Sequence, residues 1–345
     1  MLAETRQNLA KLSSNRAMWL GILFSLIVTG MTWGLNRLFL TNIDLLPDRP
    51  GFWYAWQLRY PDFWTHFTAW TGYALHQITF WGIIYYAQKQ NLRYSKGLHP
   101  INFIALGANA FFILLHLLQT TIWYDGLAQD VPEQTSQWSV ILLLCMVLWM
   151  ENQRRGLVFG KKVGFLTETG KVVRKYHGYY FAWAIVYTFW YHPMIFTSGH
   201  AIGFFYMFML ILQGSLFFTR IHVNKYWMAV QEVTVLIHAV LVSLMNADGM
   251  WPMFLFGFFG IFVVTQMYGL GLKAWQRYAF FALYAGGAIV VYADRGLNRL
   301  FELVTIPLTE YAVVFVLAAL VWTGMKLTSR WQGSRESTLR LAEGD

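Results

Sequence analysis

Charged residues are scarce in this chain of 345 residues, of which Asp, Glu, Lys and Arg make up only 12%. Soluble domains usually carry about 25% charged residues. Hydrophobic residues make up 57% of the sequence, and the mean hydropathy is +0.41. The shortage of charge therefore excludes an ordinary soluble domain and indicates that lipid is the main solvent of the protein.

Cysteine is almost absent, because Cys145 is the only one in the sequence. An intrachain disulfide is therefore excluded, and cysteine usage says nothing about the redox compartment. Metal-binding spacings such as HxxxH and HExxH are missing too, so the chain carries no metal signature of its own. The first apolar run, residues 17–40, is too long for a cleavable signal peptide and is expected to stay as a signal anchor.

Long apolar runs are what the sequence has in abundance. About 20 mostly apolar residues are needed to cross the hydrocarbon core. By that rule there are ten candidate spans: 17–40, 64–88, 100–123, 136–151, 177–193, 199–219, 227–247, 251–270, 277–293 and 303–326. The sequence thus predicts a single all-α polytopic transmembrane domain over residues 1–345, in which the fourth and fifth spans are short.

The distribution of basic residues supports this count. If both termini are cytoplasmic, all but five of the 26 Lys and Arg residues fall in cytoplasmic segments, the exceptions being Arg37, Arg49, Arg59, Arg295 and Arg299. Such a bias is the positive-inside rule of multi-pass proteins. The net charge of +9 is therefore a topology signal that needs no nucleic-acid partner. We expect an integral protein of the bacterial cytoplasmic (inner) membrane, whose partner is the lipid bilayer.

Two segments outside the spans are distinctive. The outer loop 41–63 is rich in prolines and aromatic residues, among them Trp53 and Trp56. It is typical of an interfacial anchor in the headgroup layer, and a lid over an outward-facing site is the alternative. The inner loop 152–176 is basic, and the residues flanking Glu168 to Gly170 predict a small hairpin whose cations rest on anionic lipid.

Polar residues inside the spans need partners, because unpaired polar groups in lipid cost free energy. In the third span Asn102, Asn109 and His116 are spaced by seven and share one helix face, which must therefore turn inward. Related patterns contain Tyr73 and His76 in the second span, and Gln231 and His238 in the seventh. Bonding between helices is one explanation. Lining of a substrate site by Asn102, Asn109, Tyr73, Gln231, Trp53 and Trp56 is the other.

The predicted topology gathers histidines in the outer half of the membrane. His116, His192, His200 and His238 belong to this group, and His76 lies at its edge. The stretch WYHPMIFTSGH, residues 190–200, becomes the outer turn between the fifth and sixth spans. Pro193 can end one helix, and Thr197 or Ser198 can cap the next. At a helix N-terminus a cationic His200 would oppose the dipole, so a neutral imidazole is expected there.

Three functions follow from this pattern. The first is a membrane enzyme, a transferase or hydrolase, that acts on a lipid or isoprenoid-like substrate by general acid–base chemistry. Its candidate catalytic residues are His200, His116, His238, Ser198, Asp248 and Glu310. The second is a haem-, metal- or quinone-linked redox protein that holds its cofactor through His76, His116, His192 or His238. The third is a transporter of a small molecule or ion, with Glu232 as a candidate on its path unless it pairs with Arg220 or Lys225.

Overall fold

The computed structural model describes residues 12–47, 56–124, 126–196, 199–245 and 249–342, and side chains as far as residue 328. Within these ranges the chain is all-helical and has no β-strand beyond isolated bridges. The α-helices of the described ranges are α1 (Ser14–Phe39), α2 (Phe63–Lys89), α3 (Pro100–Trp123), α4 (Glu133–Arg155), α5 (Gly164–Tyr191), α6 (His200–Ser215), α7 (Lys225–Met245), α8 (Trp251–Val264), α9 (Ala274–Arg295) and α10 (Glu302–Ala342).

Five helical segments are long and apolar enough to cross a membrane. They are Ser14–Phe39, Pro100–Trp123, Lys225–Met245, Trp251–Gly269 and Leu297–Thr328. Large apolar side chains on the surface of these segments are exposed, including Leu23 on α1 and Leu320 on α10. A soluble protein rarely exposes apolar surface so extensively. The described fold is therefore all-helical and consistent with an integral membrane protein.

Local sequence explains where several helices begin and end. Asp62 caps α2 through a reciprocal capping box with Thr65, as the sequence spacing favours. Pro100 occupies the first turn of α3, where its missing N–H costs nothing. Pro193 ends α5 because the residue before a proline is driven out of the helical region. That residue, His192, is indeed extended, with φ −92° and ψ 127°.

The loops meet alternately at two ends of the bundle. Loop 40–62 contacts the α3–α4 connection, where Gln57 Nε2 donates to the carbonyl of Ala128 at 2.7 Å. We call this the outer end, following the charge pattern. At the opposite, inner end the α2–α3 connection meets the α6–α7 connection, where the amide of Arg220 donates to the carbonyl of Ser95 at 2.8 Å. Successive helices that run between two such ends are antiparallel.

The inner loop predicted over 152–176 is shorter than the sequence suggested, and the hairpin expected within it is wrong. Helix α5 begins at Gly164, so only residues 156–163 connect it to α4. The last turns of α4 supply the reason, because Asn152 accepts from the amide of Val163 and donates to its carbonyl, both at 3.0 Å. Trp149 Nε1 also donates to Thr169 Oγ1 at 3.1 Å. These contacts stabilise a helix start that the local pattern did not reveal.

The largest core cluster surrounds the outer half of α5. Phe189, Trp190 and Met194 are completely buried there, among side chains of α2, α3 and α6. Gly72 of α2 allows this packing, because a Cβ at that position would lie 2.1 Å from Trp190 Cη2. A second cluster joins α4 and α5 to α8 and α10, around Trp149. The two clusters place α5 between the N-terminal helices and α10.

Candidate functional site

The polar face of α3 is turned into the protein. The inner half of this face forms hydrogen bonds with the C-terminal end of α6. Asn102 Nδ2 donates to the carbonyls of Ser215 at 3.0 Å and Phe217 at 2.9 Å. Its Oδ1 accepts from the amide of His99 at 2.8 Å. Asn102 is completely buried, and all these bonds go to the protein itself. The geometry therefore gives it an anchoring role in place of the substrate contact predicted from sequence.

A continuous chain of hydrogen bonds runs through His76. Trp190 Nε1 donates to His76 Nδ1 at 3.1 Å, so the other ring nitrogen carries the proton and bonds to Asn109 Oδ1 at 2.8 Å. Asn109 Nδ2 donates to Ser215 Oγ at 2.7 Å, and the hydroxyl of Ser215 donates to the carbonyl of Ile211 at 2.8 Å. Each donor meets one acceptor, which fixes a neutral His76. Both of its nitrogens are used.

The outer half of the same face holds the turn between α5 and α6. His116 Nε2 donates to the carbonyl of His192 at 2.8 Å, and Thr120 Oγ1 accepts from the amide of Met194 at 3.0 Å. Asn36 of α1 completes the set, since its Nδ2 donates to the carbonyl of Met194 at 3.2 Å. The backbone of this turn dips into the protein, and these side chains satisfy its polar groups.

His116 also contacts Gln119, whose side-chain amide is 2.9 Å from Nδ1. A neutral imidazole donates only one hydrogen bond, and that bond goes to the His192 carbonyl. In the structure Gln119 Oε1 faces Nδ1, and Gln119 Nε2 donates to Thr68 Oγ1 at 3.2 Å. The flipped amide, whose nitrogen faces the ring and whose oxygen faces the Thr68 hydroxyl, satisfies a neutral imidazole, and the two orientations are interchangeable. Both ring nitrogens of His116 are thereby engaged with protein groups.

Three other histidines converge at the outer end. The ring centroids of His192 and His200 are 6.3 Å apart, and Trp56 from loop 40–62 covers both, at 5.3 Å and 3.6 Å. His238 of α7 reaches the same place, where its charge would act on His192 and on His200. We call His192, His200 and His238 the outer histidine cluster. Trp56 is thus positioned as a cover over it.

Gly203 makes room for His238 in this cluster. A Cβ at position 203 would lie 2.9 Å from His238 Nε2, closer than side chains normally approach. The imidazole therefore rests directly on the backbone of α6, one turn after His200. His238 has no hydrogen bond to any residue that the structure describes, and its side chain is only partly buried. Its ring is the available acid–base group of the cluster.

Among the remaining predicted site residues, those that the structure describes do not join the cluster. Ser198, Asp248 and Trp53 lie outside the described residues, as does Thr197. Tyr73 packs against Tyr187 of α5, with ring centroids 5.8 Å apart. Gln231 faces α6, where its Nε2 is 3.5 Å from the carbonyl of Met209. Glu310 lies against α4, where its carbonyl accepts from Cys145 Sγ at 3.5 Å.

The residues present do not fit a haem held between His116 and His238. An iron ligand needs an unshared electron pair on one ring nitrogen, whereas both nitrogens of His116 are engaged inside the protein. The same holds for His76. Across the described ranges no group of three or more His, Cys, Asp or Glu side chains could hold a metal ion.

A buried ion pair that sequence reasoning missed joins α4 to α7. Arg155 Nη1 and Nη2 each donate to one oxygen of Glu232 at 2.8 Å. The side chains are only 2% and 8% exposed. The expectation that Glu232 pairs with Arg220 or Lys225 is therefore wrong, and Lys225 Nζ instead donates to the carbonyl of Leu270 at 2.7 Å. The sequence did carry a usable signal, because Glu232 lies two turns inside an apolar run. A carboxylate at such a position requires a cation from another helix.

Titratable groups at the ends of the bundle are shifted by burial and by hydrogen bonds. Burial raises the pKa of Glu133, at the start of α4, to about 7, against the hydrogen bond from Gln137. Burial lowers the pKa of His222, in the α6–α7 connection, to about 4. The amide and hydroxyl of Thr65 lower the pKa of Asp62. None of these groups touches the outer histidine cluster.

No protein-family model, curated protein or solved structure matches this chain.

Proposed function

We propose that the protein is a membrane-embedded enzyme that acts on a lipid or isoprenoid-like substrate at the outer histidine cluster. The observation that carries this proposal is the convergence of three imidazoles from the α5–α6 turn, α6 and α7, two of which are covered by Trp56. His238 is the candidate general base, because its ring nitrogens have no partner among the described residues. His200 or His192 would return the proton to the leaving group. General acid–base catalysis of this kind contributes about 100- to 10,000-fold in rate.

The proposal assigns His116 and His76 to positioning and leaves catalysis to the cluster. His116 holds the carbonyl of His192, and so it orients the turn that presents the cluster. The substrate class is argued from location, since a site between helices that expose apolar side chains is reached most directly by a molecule already in the bilayer. Trp56, whose ring meets His200 edge-to-face, would have to move aside for the substrate to enter.

We further propose that all ten helices cross the membrane, with both termini in the cytoplasm. The alternation of loops between two ends and the positive-inside distribution of Lys and Arg support this topology. Labelling of single cysteines in a Cys145→Ala background tests it. A cysteine at position 62 should react with an impermeant reagent from outside, and one at position 89 should not. The reverse pattern would invert the assignment of the outer end.

The enzyme proposal is tested by two variants and one matched control. The purified protein is placed in vesicles of total bacterial lipid, and lipids are followed by mass spectrometry. His238→Ala should lose turnover. Gly203→Ala should reduce it about 100-fold, the effect expected from displacing a catalytic group by about 1 Å. Gly107→Ala is the control, because a Cβ there meets nothing within 4 Å.

Native mass spectra of the same samples separate the outcomes. A bound lipid in all four proteins, with turnover lost only in the first two variants, supports the proposal. Equal turnover in His238→Ala and the wild type would refute the catalytic role of the cluster. A protein that carries neither bound lipid nor lipid turnover would move the second candidate, transport, to first place. That candidate is favoured by the charged groups buried between α4 and α7.

A further inference from the structure

The charged groups buried at α4, α7 and α10 form a second site, separate from the outer histidine cluster. Arg155 and Glu232 are matched in a bidentate pair, the strongest geometry for a guanidinium and a carboxylate. Both side chains are almost completely buried. Within this pair one positive charge balances one negative charge.

Glu310 of α10 adds a second carboxyl to this site. The residue is 5% exposed, and its side chain has no hydrogen bond or ion pair to any residue in the described ranges. Glu232 lies close enough to act on it electrostatically. Burying an unpaired carboxylate costs several kcal/mol or more in a low-dielectric interior, so an ionised Glu310 needs a balancing charge.

The neighbouring groups do not supply that charge. Arg155 is already matched by Glu232, and Glu151 of α4 adds further negative charge near it. Cys145 of α4, Tyr206 of α6 and Tyr311 of α10 also face these carboxyls. Thiols and phenols are uncharged at neutral pH. Tyr311 is in turn bonded to Thr265 of α8, with 2.7 Å between their hydroxyl oxygens.

A metal cation does not fit as the charge that balances an ionised Glu310. Hard cations take several oxygen ligands in one shell, and the described residues include no cluster of acidic or histidine side chains that could hold a metal ion. A proton needs a single carboxylate oxygen. Gln231, beside Glu232 in α7, has a buried Oε1 without a partner among the described residues, so a further acceptor lies at the same level of the bundle.

We infer that Glu310 is an intramembrane proton-binding site, where one proton neutralises a buried carboxyl that has no partner among the described residues. The equilibrium is Glu310–COOH to Glu310–COO⁻ plus H⁺, and no other bond changes. Release of the proton would leave two carboxylates, Glu310 and Glu232, that repel each other. Ionisable residues inside membranes typically serve such proton and ion pathways.

Infrared difference spectroscopy of the full-length protein in lipid nanodiscs tests this inference. Spectra at neutral and alkaline pH are compared in the Glu133→Gln background, because Glu133 is a second buried carboxyl. We expect a protonated-carboxyl band at neutral pH that shifts in heavy water. Glu310→Gln should abolish the band. Glu168→Gln, which removes an exposed carboxylate on α5, should leave it unchanged.

The other outcomes decide against the site. A band of full size in Glu310→Gln, or no band in the Glu133→Gln background, would overturn the inference. Loss of the band on adding sodium at constant pH would replace the proton by a metal cation. If Glu310→Gln does not fold, Glu310→Asp serves instead and should move the band without abolishing it. An unmoved band in Glu310→Asp would also count against Glu310.

Discussion

The polar face of α3 and the charged site at Arg155, Glu232 and Glu310 are two buried polar regions in the same helical bundle. The first is neutral, and each side chain along it has protein partners: Asn102 makes three bonds, and Asn109 bonds to His76 and Ser215. The second contains charges, an unpaired carboxyl and a guanidinium whose buried Nε has no partner among the described residues.

The difference separates architecture from chemistry. A fully satisfied neutral network makes a helix pack in one way and has no capacity left for a ligand. A buried carboxyl that lacks a partner needs a special explanation, and binding of a proton supplies one. Polar residues inside the membrane therefore cannot be assigned to a functional site by their presence alone. The deciding observation is whether all their hydrogen-bond donors and acceptors already have partners in the protein.

Breaking the ion pair should have the largest effect. Arg155→Met leaves Glu232 buried without its cation, and we expect the free energy of unfolding to fall by about 3–5 kcal/mol. Unfolding in detergent, followed by tryptophan fluorescence, measures it. Arg154→Met is the matched control, because its pair with Glu151 is more exposed and such pairs contribute about 0–1 kcal/mol. Equal losses of unfolding free energy in the two variants would show that the buried pair stabilises the protein no more than the exposed pair does.

Removing a member of the neutral network should cost less. Asn102→Leu leaves the carbonyls of Ser215 and Phe217 without their donor, and unsatisfied buried groups cost about 1–3 kcal/mol. The same unfolding experiment applies. Asn15→Leu changes an exposed asparagine of α1 and should stay within about 0.5 kcal/mol of the wild type. A loss in Asn102→Leu as large as that in Arg155→Met would remove the distinction between the two regions.

At neutral pH the smallest of the three effects should come from a neutral histidine at the inner end, because its contribution changes only as the pH falls. The pKa of His222 falls from 6.5 to about 4 on folding. The unfolded chain therefore binds the extra proton first, and stability is lost as the pH falls from 6.5 towards 4. The stability difference between wild type and His222→Gln over this range isolates that contribution from other histidines. Parallel pH profiles for the two proteins would contradict the assignment.

The sequence predicted the helices better than the loops. Each candidate span has a helix in the structure, because a run of apolar residues and its flanking prolines act locally. Helix α5 begins at Gly164, well before the predicted span at 177, and its start depends on Asn152 and Trp149 of α4. No pattern within residues 164–176 carries that information. The spacing of Asn102, Asn109 and His116 also correctly indicated a face that turns inward.

Partners were much harder to predict than positions. His116 and His238 were both candidate catalytic residues and cofactor ligands, yet His116 donates its hydrogen bond to the carbonyl of His192. Gly203 gave no signal, because its importance lies in the imidazole that rests on it. Trp56 of loop 41–63 covers His192 and His200, whereas Trp53 of the same loop lies outside the described residues. The lid alternative for this loop stays a prediction.

By itself the sequence determined that this chain is helical, with helices apolar enough to cross a membrane and polar residues on defined helix faces. These properties follow from composition and from the 3.6-residue period, which is the same wherever the helix lies. Only the tertiary structure decided which polar residues use all their hydrogen-bond donors and acceptors on neighbouring residues. It also decided which keep a donor or acceptor without a partner among the described residues. That outcome depends on contacts between helices far apart in the chain, where Arg155 meets Glu232 and Trp190 meets His76, and such contacts are fixed by packing.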